Sequence, residues 1–211
     1  MLGKTAAHIF WMFRYLERCE NTARIINASH FISLTQKQNI TNQWDSILNV
    51  GGIKSFFLSK YDEVNKSAVI NFTLRDKTNP SSVLSLIGNA RQNARVVRNN
   101  LTKEVFETVN ETYLILSNIF KRPINEKNLL NTLSIIRTKC QLARGTLHGT
   151  MLRDDTYILA RMGTFIERAD NTSRILDIKY YVLLPSVGFV GSNVDNAQWE
   201  NILRSVSAYR S

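Results

Sequence analysis

The chain has 211 residues, 44% of them hydrophobic, with 27 Lys and Arg against 17 Asp and Glu for a formal net charge of +10. That length and apolar content suffice to bury a substantial core, which excludes a disordered or low-complexity chain. No run of about 18 apolar residues reaches the length of a membrane span and the N-terminus lacks a signal-peptide pattern, so a cytoplasmic protein without membrane contact is expected. The positive balance favours acidic partners such as nucleic acid, nucleotide phosphates or an acidic protein, and speaks to association rather than fold. Cys19 and Cys140 belong to no paired motif, and His8, His30 and His148 are too scattered for metal-ligand spacing, so free thiols, no metal and no cofactor are expected.

Taken in chain order, the apolar periodicity is helical nearly throughout. From Thr5 to about Ile32, the residues Ile9, Met12, Leu16, Ala23 and Ile26 share one face at about 100° per residue. A shorter helix is expected after Thr41, a capping residue ahead of "NQWDSILNV", with Gly51 and Gly52 ending it. Segments 53–60 and 64–75 read as short helices, although "SAVINFTLR" is β-branched enough to leave a strand open. "NPSSVLSLIGNARQNARVVRNNL" predicts a helix capped by Asn79 with Pro80 in its first turn. Thr102 is expected to cap "KEVFETVNETYLILSNIF", which stops before Pro123. A helix over 128–147 and a long one over 154–181 follow, the latter ended by Pro185. "SVGFVGSNVDN" reads as a loop and "AQWENILRSVSAY" as a last helix. The class is all-α, a multi-helix bundle of seven to nine helices.

The chain also repeats itself. "ERCENTARII" at 17–26 returns as "ERADNTSRIL" at 167–176, 150 positions later, and after a five-residue insertion "QWDSIL" from Gln43 returns as "QWENIL" from Gln198. A duplication explains both the matched motifs and their order. The expected organisation is one all-α domain over 1–211, with a first unit at about 1–147 and a partial second unit at about 151–211 that looks C-terminally cut short.

The repeated motif supplies the candidate polar cluster, Glu17, Arg18, Asn21, Arg24 and their counterparts Glu167, Arg168, Asn171, Arg174. Glu17, Asn21 and Arg24 fall within an arc of about 60°, as do Glu167, Asn171 and Arg174. Glu20 with Arg24 and Asp170 with Arg174 have the i,i+4 order that stabilises a helix by a few tenths of a kcal/mol. Glu167 has no base among its own helical neighbours, so its partner must come from elsewhere or be solvent. Small Ala160 and Gly163 stand where the first unit has Phe10 and Phe13, which would let the two motif helices approach and join their Glu and Arg side chains. Such a cluster is most often a paired structural network. The sharper alternative is a cleft in which Glu17 or Glu167 acts as a base and Arg24 or Arg174 grips a carboxylate or phosphate, but no nucleophile, metal set or phosphate loop accompanies it.

Arg91, Arg95 and Arg98 also share a 60° arc, and form a candidate anion-binding line, a solvated face, or a source of the bases that Glu17 and Glu167 lack. Trp44 and Trp199 are expected to anchor the core of each unit. Ile202, Leu203 and Val206 are expected to leave an apolar face open for association.

"RYLERCENTARI", "NPSS" with "NARQNARVVR", "IERADNTSRILDIKYYVLLP" and "WENILRSVSAYR" together resemble the bacterial alpha-E superfamily of helical proteins, named for an E-R motif, along essentially the whole chain. Members of that family are commonly encoded beside, or fused to, ATP-grasp-type ligases and transglutaminase-like proteases. The resemblance therefore implies an accessory or interaction component of a peptide synthesis or modification system, with homo-oligomerisation open. An enzyme of peptide or amide chemistry using the Glu/Arg cleft is the alternative, and a nucleic-acid-binding helical protein, suggested by charge alone, is the third.

Overall fold

In a computed structural model, residues 3–35, 40–179, 190–206 and 208–210 are described, with side chains described except at 32–43, 178 and 194. Among the described residues there are nine α-helices and no strand: α1 (Gly3–Thr35), α2 (Ile40–Val50), α3 (Lys54–Leu58), α4 (Lys66–Leu74), α5 (Val83–Val96), α6 (Lys103–Ile119), α7 (Glu126–Thr150), α8 (Asp155–Ile178) and α9 (Asn193–Ser205).

Local chemistry accounts for most of the boundaries. Thr102 caps α6 as expected, its hydroxyl accepting from the Val105 N–H, and Asn125 and Asn128 exchange side-chain bonds with each other's backbone N–H at the start of α7. Helix α2 starts at Ile40, one residue ahead of the expected cap Thr41, whose side chain is outside the described set, as is Pro185. Gly52, with φ +64°, turns the chain out of α2 in the left-handed region that glycine tolerates. The β-branched segment 64–75 is helical: Asn65 caps it and Val69, Ile70, Phe72 and Leu74 enter the core, so burial decides over strand propensity.

Two of the expected boundaries fail. The cap of α5 is Ser82, which accepts from the Ser85 N–H, because Asn79 is fully buried and spent on the preceding turn, donating to the Phe72 carbonyl and accepting from the Ser81 N–H. The supposed loop through Asn196 becomes helix at Asn193, since Ser192 caps the segment by accepting from the Asp195 N–H.

Helix α1 lies at the centre, packed by α8, α5, α7 and α9. The main core runs from Ile9, Met12, Phe13 and Leu16 of α1 through α2–α7, reaching Tyr157 and Ala160 of α8. Trp44 is fully buried there, the anchor expected of it, whereas Trp199 is only partly buried, in a smaller core of Val50, Ile175 and Ile202. That smaller core corrects the expected association face: Ile202 is buried and Val206 packs against it, leaving Leu203 exposed. The units are interleaved, the short helix α9 of the second packing on α1 and α2 of the first packing on α8.

Candidate functional site

The duplication becomes chemistry where α1 meets α8. A Cβ built at Gly163 would lie 2.3 Å from the Phe10 carbonyl oxygen and 3.4 Å from the Arg14 nitrogen, so the helices touch backbone to backbone there. Farther along, Arg14 reaches Glu167 and Glu17 meets Arg168, so residue numbers rise together on both helices and they run parallel. Parallel helices with equivalent residues face to face are related by an axis along their length, the arrangement of a symmetric dimer within one chain.

Each motif consequently completes the other. Glu17 accepts from Arg168 Nε at 2.9 Å and Nη2 at 3.3 Å, while Glu167 accepts from Arg18 Nε at 2.5 Å and Nη2 at 2.8 Å. The Glu of one E-R pair is thus held by the Arg of the other, twice and reciprocally. A second guanidinium closes each pair: Arg144 of α7 donates to Glu17 at 2.8 Å and Arg14 to Glu167 at 2.8 Å. Both glutamates are buried, and each accepts three N–H bonds from two guanidiniums, which meets the requirement that a buried charge be paired and hydrogen-bonded. The Glu167 bond holds Arg18 above the ordinary arginine value, and the Glu17 bond does the same for Arg168.

The rest of the motif splits between local pairing and a pocket. Burial pushes the Glu20 carboxyl up, but Arg144 and Arg24 outweigh it and hold the group below the usual carboxylate range. Arg24 is bound to Glu20 and Arg174 to Asp170, both at i,i+4. Asn21 and Asn171 line a pocket of about 100 Å³ between α1 and α8, walled by Arg18, Glu167, Asp170 and Arg174 and floored by Ile25, Ile47, Val50 and Ile53. The two stripes are therefore joined, although Glu17 and Arg24 face away from the pocket and into paired contacts.

Arg91, Arg95 and Arg98 are not brought to this site. Arg91 donates to Asn110 and lies over the Tyr113 ring, and Arg98, in a 3₁₀ turn beyond α5, lies over Phe106; Arg95 is exposed. They do not supply the bases for Glu17 and Glu167, because α1, α7 and α8 do. Arg14 and Arg144 were missed from sequence: Arg14 has Thr164 at its repeat position, and Arg144 sits on α7, outside the repeated segments. The lack of a base near Glu167 on its own helix was the signal for a distant partner such as Arg14, and no comparable signal marks Arg144, which binds Glu17 and Glu20.

Other clusters do less. Cys19 and Cys140 are free and buried, and burial together with the neighbouring Cys140 pushes the Cys19 thiol well up, which leaves it inert. Among the described residues no group of His, Cys, Asp and Glu could hold a metal ion, and no helix is long and apolar enough to cross a membrane.

Comparison with curated proteins and with solved structures finds no match. A family model described as "a predicted alpha-helical domain with a conserved ER motif" matches residues 1–211, and the clasp of Glu17 with Arg168 and of Glu167 with Arg18 gives that motif its physical content. The chain belongs to the Alpha-E family.

Proposed function

We propose that this protein is a non-catalytic helical interaction component, cytoplasmic, acting with ATP-grasp-type ligase and transglutaminase-like protease partners in a peptide synthesis or modification system. The observation that carries the interaction reading is an asymmetry between equivalent helices. In α1, Met12 and Leu16 are fully buried in the core that α5 and α7 close over it. Their repeat counterparts in α8, Met162 and Ile166, are 46% and 44% exposed, and Ile158 and Phe165 beside them are also exposed. Spaced i, i+4, i+7 and i+8, these four residues form one apolar stripe left about half exposed by the described residues, larger than scattered surface hydrophobics. What covers the same face of α1 is an amphipathic helix with small residues, Ala90 and Ala94 among them, so the fitting occupant of the α8 face is a partner helix of that kind. Arg161 and Arg168 flank Phe165 and favour acidic residues on the partner's rim. The identity of the partner proteins rests on the family resemblance.

The catalytic alternative is weaker on geometry. A general base needs a free lone pair within reach of a substrate proton, and each of these buried carboxylates already accepts three N–H bonds from guanidiniums, which leaves at most about one lone-pair site on each. The nucleic-acid reading retains only the net charge in its support.

Co-expression with a neighbouring ATP-grasp-type ligase and transglutaminase-like protease tests the proposal. A complex is expected with the wild-type chain, and its loss with Met162→Glu or Phe165→Ser while the fold persists. No complex with either partner, or a complex indifferent to these substitutions, would overturn it.

A further inference from the structure

The pocket between the motif helices holds an unfilled requirement. Asn21 is 94% buried by its 6% relative exposure, it lines this pocket, and its side-chain Nδ2 has no hydrogen-bond partner. A buried donor left without an acceptor is costly, so such groups mark a missing water or ligand. Two guanidiniums, Arg18 and Arg174, and two carboxylates, Glu167 and Asp170, line the pocket, and Arg14, outside its lining, pairs with Glu167, so the connected group of charges carries one positive charge in excess. Arg174 is half exposed and tied to Asp170 by a single i,i+4 pair, so it can turn toward a new acceptor. The floor of the pocket is aliphatic, formed by Ile25, Ile47, Val50 and Ile53. A volume of about 100 Å³ admits about four to five heavy atoms, on the scale where roughly 150 Å³ admits benzene.

We propose that this pocket binds a small aliphatic monocarboxylate, its carboxylate accepting from Asn21 Nδ2 and Arg174 and its alkyl part lying on Ile25, Ile47, Val50 and Ile53. The acceptor satisfies the buried amide, the single negative charge restores the balance, and the short tail uses the apolar floor. Ligand chemistry follows from these three features and does not depend on the partner reading above. Because the pocket is built from both repeats, with α2 beneath it, an occupant would also tie the two units together.

The test is a titration of the whole chain, followed through the amide signals of the pocket residues, with propionate, propionamide, propylamine and inorganic phosphate as probes. Saturable one-to-one binding of propionate is expected, with propionamide, propylamine and phosphate about tenfold or more weaker, since a charge-assisted contact is lost or the shape does not fit. Arg174→Met, a half-exposed position that leaves the fold intact, is expected to weaken propionate about tenfold. Asn21→Ala breaks no internal hydrogen bond, so it is expected to abolish propionate binding while leaving the unliganded protein as stable as wild type or more so. Propionate without a saturable response, which means the pocket holds only water, overturns the proposal. Equal binding of propionate and propionamide, or unchanged binding in both variants, overturns it as well.

Discussion

Replacing Gly163 by alanine separates two effects of opposite sign. In a helix interior, alanine is better than glycine by about 1 kcal/mol, so propensity alone calls for a more stable protein. The new methyl carbon would sit 2.3 Å from the Phe10 carbonyl oxygen, against ordinary contact from 3.4 Å, and the obstacle is backbone that cannot rotate aside. Relief requires α1 and α8 to part by about 1 Å, which costs about 1–3 kcal/mol as overpacking. It also stretches the 2.8 Å Arg14–Glu167 bond and its neighbours toward the limit of hydrogen bonding, for a further loss of about 1–2 kcal/mol. The net expectation is a destabilisation of about 1–4 kcal/mol, seen as a fall in Tm of about 2–16 °C for a chain of this size. Gly145→Ala is the control, because nothing lies within 4 Å of a Cβ built there, and it should be neutral or gain up to about 1 kcal/mol. Urea denaturation of the two variants beside the wild type measures both. If Gly163→Ala is stabilised as Gly145→Ala is, the close parallel packing of the motif helices is wrong.

The two clasps should not be equal in strength. Glu167→Ala strands Arg14 and Arg18, leaving Asp170 at 4.0 Å from Arg14 as the nearest relief, whereas after Glu17→Ala the Arg144 guanidinium keeps Glu20 and the half-exposed Arg168 returns to water; urea melts should show Glu167→Ala as the costlier by about 1 kcal/mol or more. Acid should weaken the protein in two stages. Burial, with Arg161, Arg153 and Arg144 for His148 and Lys66 for His30, lowers both histidines from 6.5, so their contribution is present above that pH and is lost as pH falls through their folded values. Glu20, lowered from 4.5, contributes above that value and loses its share as pH falls further. Stability measured against pH should therefore decline first below about 6.5, and His148→Gln should flatten that first stage; a flat profile down to pH 5 would refute the assignment.

How much of this was legible in the chain depends on whether the determinant was local. Helical periodicity, the Thr102 cap and the repeated motif are local, and they led to an all-α bundle with two matched helices. Glu167 was recognisable as a carboxylate in need of a distant partner because its own helix offers no base at i±3 or i±4. The reciprocity was not legible, since it needs the parallel orientation and the backbone contact at Gly163 that bring position 18 to 167 and 17 to 168. Arg144 comes from a helix without a repeat counterpart, so no comparison of the two units could single it out. In sequence Asn79 looks like a helix cap, because a capping residue and a buried turn residue are alike until the Phe72 carbonyl lies beside it. Ile202, Leu203 and Val206 read as an open face because the second unit breaks off after them; Val50 of the first unit packs with Ile202, and the open face lies on α8.

Four double-mutant cycles reach the reciprocal clasp most directly, pairing Glu17→Gln with Arg168→Met or Arg18→Met, and Glu167→Gln with Arg18→Met or Arg168→Met, each read by urea denaturation. The structure predicts coupling of about 1–3 kcal/mol across the motifs, for Glu17 with Arg168 and Glu167 with Arg18, and near-additivity within each motif. Coupling between sequence neighbours, or additivity across the helices, would contradict it.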